Sequence, residues 1–337
     1  MNTANAIVGI DVSKKTLDVA LLVDGKVKRS KTLDNTAPGH RQLLDWLDKA
    51  KLAKDALHVC MEATGVYYEA VALALHEAGV RVSVVNPGCV KGFGQGENLR
   101  NKNDGVDAAL IARYGAAMSP APWSPPPLEQ RQLRAWSSRV QALKDIRQQE
   151  QNRLEAHGVT GMKDVANNVT EHIVWLDNEI KRLESGINDH IDRHPDLKRD
   201  AALLTSIPGV AAATTAKILG QVGDIRRFDS AKTFAAYLGV TPKQRSSGTS
   251  LKGRTMISRV GSTSLRAALY MPSVVALHHN PIVMRFAARL LANGMPKKAV
   301  VCAVMHKLAH IIYGVIHTGK PFDPNYLAKG LAIQDGI

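Results

Sequence analysis

Apolar and polar positions change their spacing twice along the chain. Residues 6–12, Ala-Ile-Val-Gly-Ile-Asp-Val, are a compact apolar run broken by one acid, as in a buried central strand. Residues 16–23 alternate, with Leu17, Val19 and Leu21 set against Asp18 and Ala20, and Asp24-Gly25 is a hairpin turn from which 26–33 returns. This predicts a three-stranded antiparallel meander in which Asp18 is an ordinary outward-facing residue. An amphipathic helix over 39–52, a strand over 56–61, a helix over 67–78 and a strand over 80–85 follow, and a last helix opens near Asp104 and runs through Ala108–Ala112. The order β-β-β-α-β-α-β-α describes a mixed sheet, an antiparallel hairpin leading into parallel crossover units.

The spacing then turns wholly helical. Residues 118–127, Met-Ser-Pro-Ala-Pro-Trp-Ser-Pro-Pro-Pro, exclude helix and central strand and read as a stiff linker between domains. Beyond it, Leu133, Trp136, Val140 and Leu143 mark one long helix, and Ile173, Leu176, Ile180, Leu183 and Ile187 repeat at 3-4-3-4 spacing in a second. Together they predict an antiparallel coiled-coil hairpin over 128–195, packed on itself or on a second subunit. Residues 196–325 form a further helical domain, with helices over 265–277, 282–292 and 299–316, before a tail at 326–337.

Composition adds a partner. Of 337 residues 45% are hydrophobic and only 5% aromatic, so the cores must be largely aliphatic. Lys and Arg number 44 against 30 Asp and Glu, a formal charge of +14, which points to a polyanion, most often nucleic acid. Arg259, Arg266, Arg285, Arg289, Lys297, Lys298 and Lys307 keep the C-terminal helices basic. Cys60, Cys89 and Cys302 are far apart and odd in number, which suits a reducing cytosol rather than a disulfide framework or a zinc site. With no basic leader and no apolar run read as membrane-spanning, a cytoplasmic protein that does not contact the membrane is expected.

Within this basic chain the acids stand out. Asp104 and Asp107 are three apart at a helix start, so both carboxylates share one face. They suit either an N-terminal cap with a first-turn acid or a hard cation such as Mg2+ held together with a phosphate. Arg100 and Lys102 beside them would attract a phosphodiester. Asp11 is costly to bury on a central strand unless a cation meets it, and Glu62 ends the fourth strand in Met61-Glu-Ala-Thr-Gly65. The predicted topology lets these four acids converge at one edge of one sheet, the pattern of RNase-H-like nucleases.

The motifs Gly9-Ile-Asp-Val-Ser-Lys14, Met61-Glu-Ala-Thr-Gly65, Asn86-Pro87 and Leu99-Arg-Asn-Lys-Asn-Asp-Gly-Val-Asp-Ala108 carry a closer resemblance. The chain resembles DEDD-type insertion-sequence transposases, the IS-one-ten family related to the Piv DNA invertases, whose N-terminal domain is similar to the RuvC Holliday-junction resolvase. The resemblance implies a catalytic domain over 1–117 in which Asp11, Glu62, Asp104 and Asp107 bind Mg2+, with Mn2+ as a substitute. It also implies a homo-oligomer, a dimer or a dimer of dimers, and a structured noncoding bridge RNA that pairs with donor and target DNA.

The resemblance continues to Phe322-Asp-Pro324. In 241–254, Ser246, Ser247, Thr249 and Ser250 lie among Lys243, Arg245, Lys252 and Arg254. A flexible linker explains such a stretch, but interleaved cations are also what a serine nucleophile needs to attack a phosphodiester. The family carries its nucleophile before the glycine of a Ser-Gly-x-Ser motif, here Ser247, with Ser246 and Ser250 close by. Residues 203–219 have the form of a helix-hairpin-helix, in which Pro208-Gly209 turns the chain and the next helix's amides can accept a DNA phosphate; a plain helical corner is the alternative. Gly92-Phe-Gly-Gln-Gly96 lacks the Lys-Ser/Thr of a P-loop and is expected to be a mobile loop near the substrate. His306 and His310 are four apart, but Lys307 breaks the zinc-protease pattern, so they read as ordinary helix residues.

A DNA recombinase is the leading reading. An actin-like ATPase or kinase would also begin with an apolar strand bearing Asp, but it needs glycine shortly after that acid, where this chain has Val12 and Ser13. A non-catalytic nucleic-acid binder would be weakened by four unpaired acids unless metal neutralised them.

Overall fold

The computed structural model describes residues 6–50, 57–63, 65–97, 104–243, 246–247, 251–252, 256–258 and 260–325. These fall into two compact units, Met1–Pro125 and Pro126–Ile337. Arg100, Lys102, Arg245, Ser250, Arg254, Arg259 and the 326–337 tail lie outside the described residues.

In the first unit β1 (Ala6–Val12), β2 (Thr16–Val23) and β3 (Lys26–Asp34) form the antiparallel meander, and β4 (Leu57–Glu62) and β5 (Arg81–Val85) extend it in parallel. The strand order is β3-β2-β1-β4-β5, so the apolar β1 is central, as in an RNase-H-like sheet. Period-two alternation divides β1 between two cores. Ala6, Val8, Ile10 and Val12 pack with Leu43, Trp46, Val71 and Leu75 beneath α1 (Ala37–Asp48) and α2 (Tyr68–Glu77). Ile7 and Cys60 face the other way, with Val90, Ile111 and Ala112 of α3 (Pro87–Gly96) and α4 (Asp104–Met118).

The glycine-rich stretch expected to be a mobile loop is helix α3. Asn86 caps it, its side chain accepting from the Gly88 amide at 2.8 Å, and Pro87 occupies the first turn, where its missing N–H costs nothing. Gly94 lets the Leu110 side chain of α4 approach to where a Cβ would stand 2.8 Å away. Gly94 therefore serves helix packing, whereas a Cβ on Gly92 or Gly96 would meet open space.

The proline-rich segment has neither helix nor strand, yet it is tied to the first unit. The Trp123 amide donates to the Val82 carbonyl at 2.7 Å, and its ring meets the first core and the edge of His76. The Ser83 hydroxyl lies 3.0 and 2.8 Å from the carbonyls of Pro120 and Ala121.

In the second unit α5 (Leu128–Thr160) and α6 (Lys163–Arg193) pack as an antiparallel pair joined through Gly161, whose left-handed φ of 71° closes α5. Leu133, Val140 and Leu143 meet Leu176, Ile180 and Ile187 in the unit's core. Lys144–Glu184 (2.7 Å) and Arg147–Asp177 bridge the pair at its surface. Then come α7 (Pro195–Thr205), α8 (Ala212–Val222), a 3-10 turn (Ile225–Arg227) and α9 (Ala231–Tyr237). Four two-residue strands follow: β6 (Pro242–Lys243), β7 (Ser246–Ser247), β8 (Leu251–Lys252) and β9 (Met256–Ile257). The unit ends with α10 (Thr263–His279), α11 (Pro281–Ala292) and α12 (Lys297–Thr318).

One expectation from the sequence is corrected here. α12 is, by length and composition, long and apolar enough to cross a membrane. It is built into the unit as a core helix instead, with Val304, Leu308, Ala309 and Ile312 fully buried.

Candidate active site

The geometry of the acids follows from sheet register. Gly9 pairs with Cys60 across the parallel β1–β4 ladder, so Asp11 and Glu62, each two residues further on, leave the sheet on the same face as Ile7 and Cys60. That is the α4 face. A Cβ on Gly115 would stand 2.6 Å from Cys60 Sγ, and one on Gly9 would stand 2.0 Å from the Ala108 carbonyl oxygen and 2.4 Å from the Ala112 nitrogen. The helix therefore lies directly on β1 and runs against it, which brings its first turn, Asp104 to Asp107, to the Asp11 end of the strand. Asp11, Glu62 and Asp107 are half-buried there; for Asp104 only the backbone is described.

A further acid shares this face. Asp18 is directly opposite Asp11 in the β1–β2 register, half-buried, and accepts a hydrogen bond from the Thr32 hydroxyl of β3 at 2.5 Å. It is not the ordinary outward-facing residue expected from alternation. Side chains paired across a ladder share a face, so pairing to Asp11 decides its direction. The signal was available in the short turn at Ser13–Lys15, which fixes that register. Like charges directly opposite one another are unfavourable, so the pair adds to the negative potential of this edge.

Among the described residues no three His, Cys, Asp or Glu side chains are grouped closely enough to hold a metal ion. The donors at this edge are nevertheless all hard carboxylate oxygens. One or two of these with substrate phosphates is what Mg2+ ordinarily takes, without a closed protein cage. Beneath α4, Cys60 is unsuited to thiolate chemistry, its thiol pushed up to about 12 by burial. The His58 imidazole, 2.7 Å from Ser83 Oγ, is pushed down to about 4, first by burial and then by Arg81.

The serine segment in the second unit is paired backbone. Ser246–Ser247 lies antiparallel to Leu251–Lys252, with Ser247 opposite Leu251, and Pro242–Lys243 pairs with Met256–Ile257. Ser247 thus stands at the last described rung before residues 248–250. Lys243 is exposed on β6, while for Ser246, Ser247 and Lys252 only the backbone is described.

Gly209 has a packing reason of its own. Its φ is +104°, and a Cβ would meet the Pro272 carbonyl oxygen of α10 at 2.7 Å and Ala276 at 3.0 Å. His306 and His310 lie 4.5 Å apart between ring centres on α12, both held below the ordinary histidine range by burial and by Lys307.

Residues 8–157 match a transposase family, the DEDD transposases of IS110, and residues 201–288 match the transposase family of IS116, IS110 and IS902. The pilin gene-inverting protein of Moraxella bovis is 33% identical over 317 residues, covering 94% of this chain and 97% of that protein. The transposase for insertion sequence element IS1328 of Yersinia enterocolitica is 24% identical over 351 residues, covering 94% and 98%. A Thermus thermophilus RuvC in complex with a Holliday-junction substrate is 18% identical, covers 35% of this chain and 98% of its own, and has a TM-score of 0.27. With two transposase domains matched in order and a relative aligned over almost its whole length, the chain belongs to the IS110 family of transposases, DNA recombinases that include the pilin gene-inverting proteins.

Proposed function

We propose that this transposase cuts and rejoins DNA strands with its acidic sheet edge and Ser247 acting in one reaction. The observation that carries the reading is the register placing Asp11 and Glu62 on one face, at the end of the sheet where α4 begins. Asp11, Glu62, Asp104 and Asp107 would hold Mg2+, or Mn2+ in its place, which when bound polarises a phosphodiester and offsets the charge of its transition state. The N-terminus of α4 would add the partial positive charge of its helix dipole beside the phosphate.

Ser247 Oγ attacks the phosphorus, the bond from phosphorus to the 3′ oxygen breaks, and the serine proton ends on that oxygen. The 5′ phosphate is then a phosphoserine ester. A 3′ hydroxyl of another strand attacks it, restoring the serine and a phosphodiester, so bond energy is conserved without ATP. Lys243, Arg245, Lys252 and Arg254 flank the serine in sequence and would stabilise the phosphorane. Arg100, Lys102, Gly209 and Arg259 are assigned to backbone contacts.

Donor and target DNA are the substrates, a structured noncoding bridge RNA selects the sequences, and a cytoplasmic homo-oligomer, dimer or dimer of dimers, does the work. Delegating sequence choice to base pairing fits a chain whose charge is broadly basic. The test is strand cleavage with purified protein, RNA and DNA. Activity should require a divalent cation and vanish in Asp11→Ala, Glu62→Ala, Asp104→Ala and Asp107→Ala, each still folded and still binding DNA. Full cleavage by Glu62→Ala would remove the acids from the reaction.

A further inference from the structure

The β1–β4 pairing that sets the register of the acids ends one residue short of them. Its last rung joins Ile10 to Met61, so Asp11 and Glu62 stand just beyond that ladder. Each is held on its outer side, Asp11 opposite Asp18 of β2 and Glu62 opposite Val85 of β5. Their spacing from one another therefore depends on what ties the two chains together once the ladder stops.

Asn35 forms such a tie. β3 runs parallel to β1, so it ends at the same edge of the sheet, and Asn35 is the first residue past it. The Asn35 side-chain nitrogen donates to the Ser13 carbonyl at 2.9 Å, in the turn that follows Asp11. It also donates to the Tyr67 carbonyl at 3.1 Å, in the connection that follows Glu62. The Asn35 backbone amide donates to the Lys15 carbonyl at 2.8 Å, fastening the first of these segments a second time.

The other end of the side-chain amide is held by His40 of α1, whose Nε2 lies 2.8 Å from Asn35 Oδ1. Carbonyl oxygens only accept, so the group facing Ser13 and Tyr67 must be the amide nitrogen, and the oxygen end then requires a donor. His40 must therefore carry a hydrogen on Nε2. Thr36 fixes the short path between the two residues by capping α1, its hydroxyl accepting from the Gly39 amide at 3.3 Å. His40 is 8% exposed in the α1 layer, on the opposite side of the sheet from the face the acids take. Its route to the reaction runs through Asn35.

We infer that Asn35 and His40 are positioning residues for strand cutting: Asn35 sets the separation of the Asp11 and Glu62 carboxylates by bracing the segments that follow them, and His40 holds Asn35 in the orientation this requires. The inference rests on the metal-binding reading of the acids given above. Groups that hold a metal's ligands in place, without touching the metal, commonly change its affinity by about tenfold or more.

The experiment titrates full-length protein with Mn2+ alone, following bound ion by electron paramagnetic resonance, and measures amide hydrogen exchange across 13–15 and 65–68. Asn35→Asp keeps the acceptor for His40 but sets a carboxylate oxygen against the two carbonyls. His40→Leu removes the donor, and His40→Gln returns one near the Nε2 position. Asn35→Asp and His40→Leu should each weaken Mn2+ binding about tenfold and speed exchange in both segments together, whereas His40→Gln stays within about twofold of wild type. Leu57→Val, a core change at the opposite end of β4 from Glu62, should lower the melting temperature with neither effect.

Wild-type Mn2+ affinity in Asn35→Asp and His40→Leu would overturn the inference, whether or not the segments loosened, and would leave the role of the acids intact. Equal weakening by Leu57→Val would overturn it too, reducing the bridge to a contribution to stability. A wild type that binds no Mn2+ and cleaves DNA in the presence of a chelator would overturn the metal reading and this inference with it.

Discussion

The carbonyl oxygen of Ala108 on α4 occupies the space a side chain on Gly9 of β1 would need, 2.0 Å from where its Cβ would be. The helix that begins at Asp104 is thereby seated on the strand that carries Asp11. Gly9→Ala should lift the helix, destabilising the first unit by about 1–3 kcal/mol as an overpacked contact. Cleavage should fall further than stability alone explains, because the acids lose their alignment. Denaturant unfolding beside a nicking assay measures both; unchanged stability and cleavage would show that this contact is not what aligns them.

Much of this arrangement was legible in the sequence, because it depends on periods. Alternation in 16–23 and the turn at Asp24-Gly25 predict the meander, and its strands fall where expected, at Thr16–Val23 and Lys26–Asp34. Asp18 was misread because alternation says only that neighbours point opposite ways; which face matters is decided by the partner strand. Gly92–Gly96 was misread because glycine density favours loops, whereas Asn86, Pro87 and the approach of Leu110 hold a helix.

A second prediction concerns pH. His58 is buried with a pKa near 4, below the ordinary 6.5, because burial disfavours its charged form. Its folded pKa is lower than its unfolded one, so its contribution is complete above pH 6.5 and is lost as pH falls toward 4. The loss could reach about 3 kcal/mol for a shift of this size. Unfolding measured at pH 7.5 and 5 should show the drop, and His58→Gln should reduce it. His40, His306 and His310, also lowered by burial, would supply the remainder. A drop undiminished in His58→Gln would contradict this assignment.

The helical pair offers a contrast of magnitudes. Leu176 is 1% exposed between α5 and α6, so Leu176→Ala should destabilise the second unit by about 2–5 kcal/mol. Lys144→Met breaks a pair whose side chains are each about two-fifths exposed and should cost less than about 1 kcal/mol. Thermal unfolding that reversed this order would mean the seam is not what holds the pair.

The proposed homo-oligomer is tested by light scattering on the protein with its RNA and DNA both present. A dimer or larger species is expected. A monomer under those conditions would contradict the assembly.

The most direct test of strand exchange is to quench the reaction with denaturant and look for protein covalently joined to DNA. Wild type should yield an adduct through a 5′ phosphate on Ser247. Ser247→Ala and Glu62→Ala should both lose it, the first for want of a nucleophile and the second for want of an activated phosphodiester, while Ser246→Ala and Ser250→Ala keep it. An adduct that persists in Ser247→Ala would place the nucleophile elsewhere, and a wild type that cleaves and rejoins without ever forming one would contradict the account.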